Sequence, residues 1–375
     1  MKTSLMLVRM AVETRARVTR NHAAGAAPAR DHETMPSGAP LGWTLRRKLR
    51  AATGRAAMTD ADVQMEARDL AALSQVRTMW RYGLGGLWIL DALLQAQPSM
   101  FSAAGMVGNV LLPAAQGQPG WIAGPMTWGA TLWAAHATIW NSAAVALELL
   151  LGCLILIGRR WPAGGRAGLA LSIAWALVVW YFGEGLGGIF SGSATYVAGS
   201  PGSAFLYALL ACALLLPDGW WSSPWLLRAF QIAVGALWAL GAVFQMAPLY
   251  WSPLGLASAL QNVAMMPLPL GLGALDAQLL TSMATAPVLW NATLCAVMLG
   301  LAAALLVGRG GKTPYIIAGV WLAMVWLVFL WVVFQGIGMV FSGMATDPNT
   351  PPLWALLLLP GWFSRQARVV DSEPA

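Results

Sequence analysis

Long apolar segments fill most of this chain, and each is close to the length that a helix needs to cross a lipid bilayer. About 20 apolar residues are required to span roughly 30 Å of hydrocarbon. Hydrophobic residues make up 58% of the 375-residue sequence and charged residues only 10%, whereas about 25% of residues are charged in soluble domains. The sequence therefore predicts an all-α, polytopic membrane protein with eight transmembrane helices. The predicted helices cover residues 79–97, 129–158, 167–190, 203–217, 227–247, 287–308, 314–341 and 352–363.

An internal repeat relates the first four predicted helices to the last four. The segment Leu84–Phe101 aligns without gaps on Val234–Trp251, with seven identical positions, at an offset of 150 residues. Two further blocks align in the same order, Trp140–Arg159 with Trp290–Arg309 and Trp180–Thr195 with Trp331–Thr346. This order predicts a duplicated four-helix unit, with residues 79–217 as the first copy and residues 218–363 as the second copy. Because each copy crosses the membrane an even number of times, the two copies are predicted to be parallel.

Basic residues are concentrated where this topology places the cytoplasm. Of the 22 Lys and Arg residues, 14 precede residue 82, and the others lie in or beside the segments predicted to be cytoplasmic. The predicted outer loops contain no Lys or Arg; they cover residues 98–128, 191–202, 248–286 and 343–351. Cytoplasmic loops of membrane proteins are enriched in Lys and Arg. The sequence therefore predicts a multi-pass protein of the plasma membrane with both termini in the cytoplasm.

Residues 1–78 lack a sustained apolar period and are predicted to form a disordered, basic cytoplasmic tail. Its basic cluster between Arg46 and Arg55 favours contact with anionic lipid headgroups. An alternative interpretation is that part of this segment precedes the true start, with Met58 or Met65 as the initiator. Residues 364–375 are predicted to form a second cytoplasmic tail. Because the basic charge flanks predicted membrane helices, the lipid bilayer rather than nucleic acid is the predicted partner.

Few side chains are available for a metal or haem site. Only one of the three His residues, His136, lies in the apolar region, and the three Cys residues are isolated from one another. This excludes a bis-His haem pair in the apolar region and gives no zinc or iron–sulfur motif. We predict no metal site, and no cofactor held by the chain alone.

Four ionisable residues of the first copy fall within predicted membrane helices. Asp91 and Glu148 are predicted to lie near mid-membrane, and His136 and Glu184 near the outer face, from a helical rise of about 1.5 Å per residue. The neighbouring polar side chains at similar depths are Gln95, Asn141 and Tyr181. Ionisable groups inside a bilayer are costly and usually functional. These seven residues are the candidate polar site.

The repeat allows this candidate site to be compared with the second copy. The residues aligned with Asp91, His136, Glu148 and Glu184 are Gly241, Ala286, Met298 and Gln335. Since none of the four counterparts is ionisable, we predict that the first copy holds a proton-relay or ligand-binding site and that the second supplies packing. The alternative is that the polar residues only bond neighbouring helices together.

Glycines cluster near the end of the third predicted helix. Their spacing is typical of surfaces on which two membrane helices approach closely, and we predict a role in helix packing, with a hinge or ligand contact as the alternative. The residues are Gly183, Gly185, Gly187, Gly188 and Gly192.

Two motifs resemble DoxX/DoxD-type membrane proteins, which are compact four-helix units. One is the stretch from Arg81 to Asp91, and the other is Gly185–Gly192 with its counterpart Gly336–Gly343. The resemblance covers the first copy and, as a diverged repeat, the second. It implies a role in a quinone-linked or other redox membrane complex, with quinone as the cofactor of that complex and a redox protein subunit as partner. No catalytic residue set of that family matches this chain.

Three hypotheses for function follow. The first is a quinone-facing or non-catalytic subunit of a redox complex, in which the polar residues of the first copy handle protons or hydrogen-bond a ligand. If the chain takes part in catalysis, the resemblance implies an oxidoreductase subunit rather than a self-sufficient enzyme. The second is a small-solute or ion transporter with its path through the first copy. The third is a membrane scaffold that only binds a partner.

Overall fold

The computed structural model describes residues 60–264, 272–307 and 313–369. Every regular element in these ranges is helical, and the predicted all-α fold class is confirmed for them. The longer helices are α1 (Asp60–Gln95), α2 (Gly120–Ala135), α3 (Ala137–Ile157), α4 (Pro162–Phe182), α5 (Ser203–Leu215), α6 (Trp225–Gln245), α7 (Pro253–Ala264), α8 (Leu272–Thr285), α9 (Pro287–Val307), α10 (Thr313–Phe329) and α11 (Thr350–Val369).

Short helical segments connect several of these helices. Two are π-helical, with backbone hydrogen bonds that join residues five positions apart, and one of them extends α10. The connecting segments are Pro98–Phe101, Ala103–Leu111, Leu112–Ala115, Gly185–Gly188, Tyr196–Ala198, Asp218–Trp221, Pro248–Trp251, Leu330–Phe334 and Gly336–Met339.

Four of the described helices are long and apolar enough to cross a membrane. They are α3, α4, α6 and α9, which supply spans at Ala137–Ile157, Pro162–Phe182, Trp225–Gln245 and Pro287–Leu306. Shorter apolar helical segments occur at Ala103–Ala115, Ser203–Leu215 and Gly319–Phe334. These helices agree with an integral membrane protein.

The first helix differs from the predicted boundary of the N-terminal tail. Residues 60–78 were expected to be disordered, but α1 begins at Asp60 and runs without a break to Gln95. Good helix formers such as Gln64, Glu66 and Arg68 extend the helix beyond its apolar part. The cluster between Arg46 and Arg55 lies outside the described residues.

The second predicted helix, over residues 129–158, is in fact two helices that meet at His136. This residue has φ −143° and ψ 49°, which interrupts the helical backbone between α2 and α3. Its carbonyl oxygen accepts the N–H groups of both Ile139 and Trp140, and so it caps the start of α3. The apolar composition is continuous across this point, which is why hydropathy alone does not reveal the break.

Contacts within the chain separate two compact units. Among the described residues, the smaller unit comprises 60–76, 217–229 and 363–369, and it contains an edge-to-face pair of Trp220 with Trp225. The larger unit comprises Arg77–Leu216 and Phe230–Trp362. The candidate site lies in the larger unit.

Two small residues let α1 and α3 approach closely in the larger unit. A Cβ added at Gly152 would lie 2.7 Å from the carbonyl oxygen of Gly85, and one added at Gly85 would lie 2.7 Å from Leu156. This is the kind of close contact that small residues permit between membrane helices. It brings Asp91 of α1 and Glu148 of α3 toward the same region of the fold.

The predicted packing glycines do not form a helix face. Helix α4 ends at Phe182, and Gly185, Gly187, Gly188 and Gly192 all have positive φ in the turn that follows. Glycine adopts this left-handed conformation without the steric cost that other residues meet. The glycine run therefore reverses the chain between α4 and α5, which corrects the prediction of a helix-packing surface.

Candidate functional site

A cavity of about 90 Å³ lies among α1, α3, α4 and α5 of the larger unit. Four carboxylic side chains line it, namely Asp91, Glu148, Glu184 and Asp347. Aromatic side chains form much of the remaining wall: Trp88, Trp133, Trp175, Phe182 and Tyr207. The predicted site residues Asp91, Glu148, Glu184 and Gln95 are thus brought to one place.

One half of the cavity wall contains the two acids that lie within helices, Asp91 and Glu148. Asp91 of α1 is 3% exposed and Glu148 of α3 is 6% exposed. Glu148 accepts a hydrogen bond of 3.2 Å from the Trp175 indole through Oε1, while its Oε2 has no hydrogen-bond partner among the described residues. The Oδ1 atom of Asp91 likewise lacks a described partner, and the Tyr207 hydroxyl faces this carboxyl group. Buried polar atoms are normally hydrogen-bonded, so these free oxygens indicate a place for a ligand or a proton.

The other half is formed by Glu184 and Asp347, which lie beyond the ends of the helices that flank them. Ser203, the first residue of α5, donates a hydrogen bond from its hydroxyl to Glu184 Oε1, and the Ala204 N–H donates to the same atom over 2.9 Å. Asp347 accepts the Asn349 N–H over 2.6 Å and the Thr346 hydroxyl over 3.2 Å. The N-terminus of α5 therefore stabilises a carboxylate at this edge.

Burial affects the protonation of these two acids. It raises the pKa of Glu184, and the neighbouring Asp347 carboxylate raises it further. Burial also raises the pKa of Asp347, although its hydrogen bonds from the Asn349 N–H and the Thr346 hydroxyl partly oppose the increase. Both acids therefore hold a proton at higher pH than an exposed carboxyl group would.

A second, more open cavity of about 350 Å³ adjoins the first. The two cavities share Gly183, Glu184, Ser203, Thr346 and Asp347 in their linings. The remaining wall of the second cavity includes the glycine turn after α4 and several amide and hydroxyl side chains, among them Gln118, Ser191 and Asn349. Glu184 and Asp347 thus lie at the boundary between a polar cavity and an aromatic one.

Gln95 and Asn141 form a buried amide pair beside the aromatic cavity. The Gln95 side-chain amide donates to Asn141 Oδ1, and the Asn141 amide donates to the Gln95 backbone oxygen over 2.9 Å. Gln245 and Asn291, which the predicted repeat aligns with Gln95 and Asn141, make the same two hydrogen bonds over 2.7 and 3.1 Å. Asn141 does not line the cavity, so its role is to bond α3 to α1.

Replacing Gln95 with alanine is expected to lower the free energy of unfolding by about 1–3 kcal/mol, because Asn141 Oδ1 would lose its hydrogen-bond donor while remaining buried. Unfolding of the purified chain in detergent would measure the change. Replacing Gln95 and Asn141 together with leucine should cost less than Gln95→Ala, since no buried side-chain amide is then left unpaired. A double variant that is less stable than the single one would contradict this role.

Two predicted site residues lie away from the cavity. His136 is exposed at the break between α2 and α3. The Tyr181 hydroxyl donates to the Ile122 carbonyl oxygen over 3.1 Å, which ties α4 to α2. The sequence places residues at a depth along a helix but leaves the rotation of the helix free, and these two side chains point elsewhere.

Asp347 is the site residue that the sequence analysis missed. It belongs to the last predicted outer loop, outside any predicted helix, and therefore was not among the candidates. The alignment of the predicted repeat could have revealed this residue. Asp347 directly follows the aligned block that ends at Thr346, at the position where the first predicted copy has Tyr196. Asp347, from the segment predicted to be the second copy, thus lines the same cavity as Asp91, Glu148 and Glu184.

Tyr196 packs among residues of the predicted second copy. It is 1% exposed, and its ring lies 5.2 Å from that of Trp238 and 5.3 Å from that of Trp354, between centroids. A Cβ added at Gly241 would meet the Tyr196 ring at 2.5 Å and the Met298 methyl group at 3.0 Å. Gly241 and Met298 are the counterparts of Asp91 and Glu148, so aromatic and apolar side chains fill the place that corresponds to the acidic cavity.

Local geometry also repeats at the turns that lead to these two regions. The Trp180 indole donates to the Pro201 carbonyl oxygen over 2.7 Å, and the Trp331 indole donates to that of Pro348 over 2.8 Å. Leu186 and Ile337 occupy equivalent positions in the turns, with φ of 54° and 56°.

Among the described residues, no group of three or more His, Cys, Asp or Glu side chains is arranged to hold a metal ion. The cysteines are free thiols, with Cys153 and Cys212 exposed and Cys295 buried. Comparison with protein-family models, with curated proteins and with solved structures found no match to this chain. The resemblance to DoxX/DoxD-type proteins therefore rests on the sequence motifs alone.

Proposed function

We propose that this chain is a membrane protein whose first copy binds a small polar ligand in the aromatic cavity and couples that binding to protonation of its acids. The observation that carries the proposal is the set of unpartnered oxygens of Asp91, Glu148 and Glu184 in the lining of one cavity. A buried polar atom without a partner costs about 1–3 kcal/mol. Three such oxygens around one cavity are typical of a site in which a bound ligand or bound protons supply the missing hydrogen bonds.

The proposed topology has eight crossings, with two parallel four-helix copies in the plasma membrane and both termini in the cytoplasm. The positive charge of the N-terminal region and of the predicted cytoplasmic segments supports this orientation. In this topology the 350 Å³ cavity lies toward the outer face, and ligand passes Glu184 and Asp347 to reach Asp91 and Glu148.

The role of the bound ligand differs between the hypotheses of function. In a DoxX-like subunit of a quinone-linked redox complex, the cavity would hold the polar head of a quinone while the acids handle protons. In a small-solute or ion transporter, the same acids would release the ligand on the far side. The presence of a cavity with unpartnered oxygens favours either of these over a scaffold, because a scaffold needs no ligand site.

Recovery of bound small molecules tests the proposal. We would purify the full chain in mild detergent from its native membrane, together with the double variant Asp91→Asn and Glu148→Gln, and identify co-purifying small molecules and proteins by mass spectrometry. We expect a small molecule with the wild-type chain and at least about tenfold less with the double variant, the loss that about 1.4 kcal/mol of binding energy produces. The matched control is Asp218→Asn, which makes the same chemical change in the smaller unit.

The accompanying molecules separate the hypotheses. A redox protein together with a quinone would support the complex subunit, and a small molecule without a protein partner would support transport. Equal recovery from the wild-type chain and the double variant, or no bound molecule from either, would contradict a ligand site in this cavity.

A further inference from the structure

The chemistry of the cavity wall restricts the class of ligand. Its lining contains four carboxylic side chains and five aromatic ones, and none of the lining residues is Lys, Arg or His. An anion would meet only like charge in such a site. A cation would be attracted both by the carboxylates and by the negative faces of the aromatic rings.

The arrangement of the acids also distinguishes between kinds of cation. A bare metal ion needs several oxygen ligands within about 2.0–2.6 Å, and among the described residues no three His, Cys, Asp or Glu side chains are placed to hold one. A cation that spreads its charge over several carbon atoms needs no such convergence. It gains from contact with Trp, Tyr and Phe side chains, as quaternary ammonium groups do.

We propose that the aromatic cavity binds a small organic cation of the alkylammonium class. The cation lies between the Asp91 and Glu148 carboxylates and the aromatic wall, and it enters past Glu184 and Asp347. This inference rests on the proposed function, because it names the ligand class for the same site. Glu148 is only 6% exposed, and its Oε2 has no hydrogen-bond partner among the described residues. The cation binds next to this oxygen.

The size of the cavity agrees with this class. A volume of about 90 Å³ has room for roughly six water molecules at about 15 Å³ each. That space accommodates a compact ammonium group with a few carbon atoms. The adjoining 350 Å³ cavity leaves room for a longer substituent on the side of Glu184 and Asp347.

Binding of a cation is expected to be linked to loss of protons. The titratable groups that face the cavity are Asp91, Glu148, Glu184, Asp347 and Tyr207. Several carboxylates in so small a volume repel one another, so protons neutralise part of this charge when the cavity is empty. A bound cation replaces those protons, and its affinity should therefore rise as the pH rises.

Choline and its neutral isostere 3,3-dimethylbutan-1-ol are suitable probes because they have nearly the same shape and differ in charge. Calorimetric titration of the purified full chain should show choline binding and at least about tenfold weaker binding of the isostere. Choline affinity should increase by about tenfold for each unit of rising pH over the range in which binding displaces one proton. Protons released on binding would be measured by repeating the titration in buffers of different ionisation enthalpy.

Variants test the two parts of the wall. Asp91→Asn with Glu148→Gln should reduce choline affinity by at least about tenfold, whereas Asp218→Asn should leave it unchanged. Trp133→Leu removes an aromatic ring and should weaken choline, while Trp133→Phe keeps a ring and should retain most of the affinity. Thermal unfolding of each variant would confirm that a loss of affinity does not come from a loss of folding.

The outcomes separate this inference from the proposed function. If the isostere binds as well as choline, or if choline does not bind while a native small molecule is still recovered from the chain, the ligand is not an organic cation and the proposed ligand site stands. If neither choline nor a native small molecule binds, both proposals are wrong.

Discussion

Replacing Tyr196 with alanine is expected to lower the free energy of unfolding of the chain by about 3–5 kcal/mol, the range for truncation of a fully buried aromatic side chain. Tyr196 packs on Trp238 and Trp354 and lies against Gly241. Its removal leaves a cavity whose walls are rigid rings that cannot collapse into the space. Reversible unfolding in mixed micelles would measure the loss.

The conservative change Tyr196→Phe is the matched control. The Tyr196 hydroxyl has no hydrogen-bond partner in the described part of the chain, so its removal should leave stability unchanged or slightly higher. A loss below about 1 kcal/mol for Tyr196→Ala would show that the second copy does not depend on this ring. Choline affinity should not change in Tyr196→Phe, because Tyr196 lies outside the lining of the acidic cavity.

Replacing Gly187 with alanine is expected to destabilise the chain by about 3 kcal/mol. About 1–2 kcal/mol comes from placing a side chain in the left-handed conformation, and about 1–3 kcal/mol from steric overlap. Gly187 has φ 64°, and an added Cβ would lie 2.2 Å from the Pro201 carbonyl oxygen, with no room to relax without moving the backbone. That displacement would also separate the start of α5 from Glu184.

Gly192→Ala separates the two contributions to this effect. Gly192 has φ 74°, but an added Cβ would meet nothing within 4 Å. The Gly192→Ala variant should therefore lose only the conformational part of the free energy of unfolding, about 1–2 kcal/mol. Equal losses for Gly187→Ala and Gly192→Ala, measured by unfolding in detergent, would show that close approach to Pro201 does not contribute.

The depth of a residue along its helix was predictable in this chain, but the direction in which its side chain points around the helix was not. The rise per residue placed Asp91, His136 and Glu148 at definite levels in the predicted helices. The structure brings Asp91 and Glu148 to one cavity, while His136 lies exposed at a break in the helix. Helix rotation depends on packing with neighbours, for which a single apolar segment carries little information.

The ends of helices were predictable only where apolar character ends. More than half of residues 60–78 are polar or charged, and the segment is nevertheless helical, because helix propensity does not require hydrophobicity. The glycine run after Phe182 contains enough small apolar residues to resemble a membrane helix, yet its positive φ angles make it a turn. Composition and backbone conformation are independent properties of such a segment.

By itself, the sequence determined that this protein is helical and has apolar segments of membrane-spanning length, because hydropathy and the scarcity of charge leave few other folds. Tertiary structure alone decided which polar residues share a cavity. Asp347 joins Asp91, Glu148 and Glu184 from a loop distant in sequence, and Tyr196 packs against Gly241, the residue that the predicted repeat aligns with Asp91. The physical reason is that chain reversals at the glycine turns and side-chain packing set these contacts, and neither is encoded in a local pattern of residues.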